Sequence, residues 1–234
     1  LNVLGMIGLS CYILADTFFV AKGLGTSGLA ALNLAIPVYS FIHGSGLMFG
    51  IGGATKFSIS RKSGLSDLIF TNTLFFAGIT ALLFFLAGLF LSPQITALLG
   101  ADSQVAAMTQ TYLKMILLFA PAFILNDILV CFVRNDGNPR LSMLAMLGGS
   151  MANILLDYVF IFPLGMGIFG AVLATGLAPV ISIAIMSGHW MGKNKGFHLA
   201  KTEIQGQTAL LILSLGFPSL ITEVSSGIVI IVFL

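Results

Sequence analysis

The chain has 234 residues, of which 58% are hydrophobic and only 8% charged, with a formal net charge of +2. A mean hydropathy of +1.08 lies far outside the range of water-soluble domains. The basic residues are scattered over three loops rather than gathered in one stripe, which excludes a nucleic-acid partner.

With the bilayer as solvent, a hydrocarbon core of about 30 Å takes about 20 apolar residues per helix. Seven segments of that kind follow one another at 3–20, 28–55, 68–91, 105–133, 141–162, 167–191 and 207–234. This repetition is not that of a cleaved signal peptide, which contributes a single short apolar run. The chain opens and closes inside apolar runs, without a starting Met, and is expected to be part of a longer protein. The pattern therefore predicts an all-α polytopic membrane protein.

The first segment carries Cys11 and Asp16, the second Pro37 and His43, and the fourth Lys114, Pro121, Asp127 and Cys131. Asn153 and Asp157 lie on the fifth, Thr175 and Pro179 on the sixth, and Pro218 and Glu223 on the seventh. Prolines inside helices free carbonyls and make kinks, which transporters use to open and close. The two cysteines have no second cysteine nearby and read as small packing residues. His43 lies alone in an apolar stretch, where hydrogen-bonded packing competes with a proton-relay role.

Orientation follows from the Lys and Arg bias of cytoplasmic loops. Lys56, Arg61 and Lys62 follow the second segment, Arg134 and Arg140 the fourth, and Lys193, Lys195 and Lys201 the sixth. The opposite side has only Lys22, and Lys114 can snorkel to the outer interface. The N-terminus is expected in the cytoplasm, with Trp190 anchoring the inner face.

Asp16, Asp127, Asp157 and Glu223, half of the eight carboxylates, fall within apolar segments. Each costs roughly 2.5 to 3.5 kcal/mol on insertion scales and so needs a partner, a proton or an ion. Asn153 and Asp157 are four apart and share a helix face, with Gly149 a turn below, where a neighbouring backbone can come close. Asp16 is six residues before Lys22 and Asp157 six before Pro163, roughly 9 Å from the outer end of each helix. Thr175, eight residues past Gly167, lies roughly 12 Å down the next helix. Spacing thus places Asp16, Asn153, Asp157 and Thr175 at one level in the outer half of the membrane. Hard oxygen donors of this kind suit Na⁺. They equally suit a proton, since two neighbouring carboxylates in a low-dielectric site do not readily both ionise. The alternative is structural, with each Asp bonded to a neighbour such as Tyr12, Thr17 or Tyr158, and Asn153 and Thr175 serving as interhelical hydrogen-bonders. Asp127, seven residues before Arg134 on the same face, reads as a gate or structural pair with it.

Six segments together carry a family resemblance. They are CYILADTFFVAKGLG at 11–25, GLAALNLAIP at 28–37, GIGGATKFSISRKSG at 50–64, VRNDGNPR at 133–140, GSMANILLDYVFI at 149–161 and GIFGAVLATGLA at 167–178. In this order and spacing the chain resembles the multidrug and toxic compound extrusion (MATE) transporters. The resemblance implies a cell-membrane protein of twelve helices in two six-helix lobes, exporting drugs or other small amphipathic or cationic organic compounds by Na⁺- or H⁺-coupled antiport and alternating access. It assigns 1–206 to the N-terminal lobe and 207–234 to the first helix of the C-terminal lobe, whose other five helices would be a missing partner. It also assigns Asp16, Asn153, Asp157 and Thr175 to the cation site of the first lobe, and Glu223 to a substrate or second-lobe coupling region. It implies no cofactor beyond the coupling ion, and no metal beyond Na⁺. The chain departs from the family at Leu1, near which a proline is usual.

Two other classes compete. A lipid-linked precursor flippase of a related fold would show a cavity rich in Arg or Lys. An intramembrane enzyme would show HExxH, paired Ser and His, or Cys with His at membrane depth, and the sequence has none of these.

Overall fold

The computed structural model describes residues 2–192 and 195–232, with side chains from Ile13 to Val229. Leu1, Lys193 and the side chains of Cys11 and Tyr12 lie outside the described residues. The rest is α-helical, with no strand among the described residues. The helices are α1 (Asn2–Ser60), α2 (Ser66–Phe90), α3 (Ser92–Leu98), α4 (Ala106–Leu118), α5 (Ala120–Asn135), α6 (Pro139–Ile161), α7 (Gly167–Trp190) and α8 (Gly206–Val232). Five of them are long and apolar enough to cross a membrane, and the bent pair α4 and α5 adds a sixth. This is a multi-pass membrane protein.

Hydropathy predicts a connection between the first two spans, but the structure has no loop there. One helix is broken at Gly25, whose φ of 69° and ψ of −159° are accessible chiefly to glycine. Side-chain neighbours show that the chain doubles back at this point. Phe19 stacks near Tyr158 and Phe162, and Gly23 faces Ile161, so the first arm runs parallel to α6. Tyr39 packs on Phe123, His43 on Asp127, and Asn135 reaches the Ala54 carbonyl, so the second arm runs parallel to α5. Because α5 and α6 are themselves antiparallel across the turn at 136–138, the two arms of α1 form a hairpin.

The expected fourth span, 105–133, is likewise two helices, α4 and α5, bent by 47° at Phe119. Pro121 explains the break, since it has no N–H for the Leu117 carbonyl and its ring crowds that turn. The Phe119 ring takes the space over Gly176 of α7, where a Cβ would not fit. Entry into α6 is set by Asn138, which accepts a hydrogen bond from Leu141 N–H at 3.2 Å, and by Pro139 in the first turn.

Glycines let the helices approach backbone to backbone. Gly149 of α6 faces the Ala178 carbonyl of α7, while Gly52 of α1 faces the Ile212 carbonyl and Gly216 of α8 faces that of Met48. The last two contacts lock α8 antiparallel onto the second arm of α1.

At the opposite end from Gly25, Phe57, Phe70, Phe132 and Phe197 stack with centroids 4.6 to 6.0 Å apart. Beside them the Asp136 carboxylate is met by Arg61 Nη2 at 3.1 Å, His189 Nε2 at 3.0 Å and Gly196 N–H at 2.8 Å. The segment 195–205 that leads into α8 is stitched to α2. His198 N–H donates to Asp67, Ala200 N–H to Thr71 Oγ1, and Asn72 both donates to the Glu203 carbonyl and accepts from Gln205 N–H. Sequence reading treats this strap only as a basic loop.

Candidate functional site

Asp16 from the first arm of α1, Asn153 and Asp157 from α6, and Thr175 from α7 converge beside the Gly25 end of the bundle. All four are buried, with exposures of 7%, 0%, 0% and 6% in that order. The Asp16 and Asp157 carboxyls lie within hydrogen-bonding reach of each other. Asn153 joins α6 to α7. In the orientation its neighbours require, its amide N–H donates to Asp157 Oδ2 at 3.2 Å and its oxygen accepts from Thr175 N–H at 3.2 Å. The Thr175 hydroxyl donates to the Ala171 carbonyl at 3.1 Å, which leaves its lone pairs available. One turn further on, Pro179 has no N–H to give the Thr175 carbonyl, so a second oxygen is released at the same level.

Asp16 Oδ1 and Asp157 Oδ1 receive no hydrogen bond. Two buried carboxyl groups face each other with donors missing, and each orphaned oxygen carries a desolvation cost that only a proton or a cation relieves. Asn153 acts here by holding Asp157 in place, because its oxygen is already engaged by Thr175 N–H. The residue types fit a small hard cation: carboxylate, hydroxyl and carbonyl oxygens, with no nitrogen or sulfur.

Asp127 makes a different contact from the one its spacing suggests. Its Oδ2 lies 3.0 Å from His43 Nδ1, across the interface between α5 and α1. Arg134, seven residues on along α5, is about 10 Å away by helical rise, and its Nη2 turns to Cys131 Sγ at 3.5 Å. The pairing of Asp127 with Arg134 is therefore replaced by one with His43, which a single-helix argument cannot see. Glu223 of α8 meets Gly44, one residue from His43. Asp127, Arg134, His43 and Glu223 all line one cavity, together with Thr175. The Lys- or Arg-rich lining expected of the flippase alternative is not what this cavity shows: Arg134 stands there with two carboxylates. Lys114 is exposed on α4.

Comparison with known proteins follows the same lines. The MatE family pattern matches residues 3–159. The multidrug export protein MepA of Staphylococcus saprophyticus is 29% identical over 224 residues, covering 93% of this chain and 49% of that protein. MepA of Staphylococcus aureus (strain MRSA252) is 34% identical over 174 residues, covering 72% and 38%. Among solved structures, a multidrug resistance MATE family transporter of the MOP superfamily in an inward-facing conformation superposes with a TM-score of 0.84 at 27% identity, covering 94% of this chain and 51% of the other. The chain thus spans about half the length of the curated relatives it matches. With its fold, its helix order and the family pattern in agreement, this chain belongs to the MatE family.

Proposed function

We propose that the chain supplies the cation-coupling lobe of a secondary antiporter that exports small amphipathic organic compounds. In this reading 1–206 is one lobe and α8 the first helix of a second, with the N-terminus in the cytoplasm. Substrate would pass between the lobes by alternating access, driven by Na⁺ or H⁺ bound at Asp16 and Asp157.

The observation that carries the reading is the pair of donor-starved carboxyl groups. A structural pair would be satisfied by neighbouring donors, as buried polar groups usually are. This one keeps Oδ1 of each residue bare while Asn153 fixes the geometry. Such a site binds a cation or proton tightly from one side and releases it when the helices separate, since separation returns the carboxylates to water. Its placement on three helices, α1, α6 and α7, makes ion occupancy sensitive to their relative position.

Cation-driven efflux from proteoliposomes, in the protein with both lobes, tests this. Asp157→Asn keeps the shape and removes the charge, and should lower driven efflux by about 100-fold while leaving substrate bound. Asp16→Asn should behave alike. Wild-type efflux from both variants would end the reading.

A further inference from the structure

The cavity next to the carboxyl pair holds polar atoms that the coupling site does not use. It has a volume of about 290 Å³, small for a drug-sized ligand pocket but large enough for one ring and its substituent. Three buried atoms on its wall have no hydrogen-bond partner: Asn126 Oδ1, Asp127 Oδ2 and Ser182 Oγ. Asp127 is only 6% exposed, so its unpartnered oxygen is turned into a confined space. His43 Nδ1 comes within 3.0 Å of that oxygen without making a directed hydrogen bond to it.

Charge narrows the ligand. The groups facing this space are Asp127 and Arg134 from α5, Glu223 from α8 and His43 from α1. With His43 neutral, one carboxylate is left uncompensated, which one monovalent cation balances. The orphaned acceptors on Asn126 and Asp127 further require that this cation carry N–H donors, because a quaternary ammonium would leave both unsatisfied. Tyr39 stacks parallel to the His43 ring at 5.9 Å and meets Phe123 edge-on at 5.4 Å, so one wall is aromatic.

We propose that this cavity binds a monovalent organic cation bearing at least two N–H donors beside an aromatic ring, an amidinium or a primary ammonium, with Asn126, Asp127 and Glu223 as its acceptors. Its use in export rests on the transporter reading above. Seating the cation separates His43 from Asp127, since both compete for the same oxygen.

The test uses the chain in lipid nanodiscs and three probes of similar shape: benzamidine as its cation, neutral benzamide, and phenyltrimethylammonium, which is charged but has no N–H. Binding is measured by equilibrium dialysis against empty nanodiscs. Benzamidinium should bind at least about 10-fold tighter than either of the others, the factor expected for charge-assisted hydrogen bonds. Asp127→Asn should lose about 10-fold in benzamidinium affinity, and Asn126→Leu about 5-fold. Equal affinity for the three probes in the unaltered chain overturns the proposal, as does unchanged binding in a folded Asp127→Asn protein. Should Asp127→Asn fail to fold by circular dichroism, Asn126→Leu and the comparison of probes still decide. Binding lost in Asp157→Asn but kept in Asp127→Asn places the ligand at the carboxyl pair and also overturns it. The coupling reading is judged separately, by driven efflux.

Discussion

Two buried carboxylate sites lie at opposite ends of the bundle, and they are built by opposite rules. At the inner end Asp136, with a side chain 2% exposed, is met by Arg61, His189 and the Gly196 N–H. At the other end Asp16 and Asp157 face each other, and each keeps an oxygen without a donor. The same residue type thus serves two purposes. Where donors converge, a buried Asp ties elements together, whereas a site from which they are withheld has room for a charge from outside. Burial alone does not separate the two cases; the count of donors does.

The largest expected effect tests the satisfied site. Asp136→Ala removes the acceptor shared by three donors and should destabilise the protein by about 3–5 kcal/mol in denaturant unfolding from mixed micelles. A loss below about 1 kcal/mol would mean that the inner site is no more structural than the outer one. Phe197→Ala empties the aromatic box beside Asp136 and should cost about 3 kcal/mol, since the strap can close only part of the cavity. Gly216→Val sets a branched side chain against the Met48 carbonyl and should cost about 2 kcal/mol, read as a lower thermal midpoint. The smallest effect sharpens the contrast. Asp157→Asn should change stability by less than about 1 kcal/mol, and in the stabilising direction, because the new amide N–H has Asp16 to donate to. A large loss of stability there would make the outer pair structural as well.

Much of this contrast is legible in the sequence on one side and very little on the other. Asp16, Asn153, Asp157 and Thr175 stand out because each is polar in an apolar run, and helical rise alone sets them at a common depth. The break at Phe119 is signalled by Pro121, but proline in a membrane helix marks a kink as readily as an end. Gly25 gives no such warning, because a glycine among several others does not announce a left-handed residue within an otherwise unbroken helix. His43 and Asp127 lie 84 positions apart on different helices, so no spacing rule joins them. Asp136 sits in a polar turn, where a carboxylate is unremarked, and its partners arrive from three distant segments. The strap is hidden for the same reason: its bonds to α2 link residues 129 to 133 positions apart. Backbone groups make most of those bonds, and backbone groups leave no trace in composition.

Those long-range bonds also bear on the order in which the chain is assembled. The residues that fix the start of α8, Asp67, Thr71 and Asn72, are made and inserted long before it. Until α2 stands in place, the strap has nothing to hold, and α8 lacks a fixed point of entry into the bilayer. Once the strap is seated, Gly52 and Gly216 allow α8 to close against α1 in a single register. A substitution at Asn72 should therefore slow insertion of the last helix more than it disturbs the finished bundle, and would be seen first as delayed protease protection of α8 during synthesis into membranes.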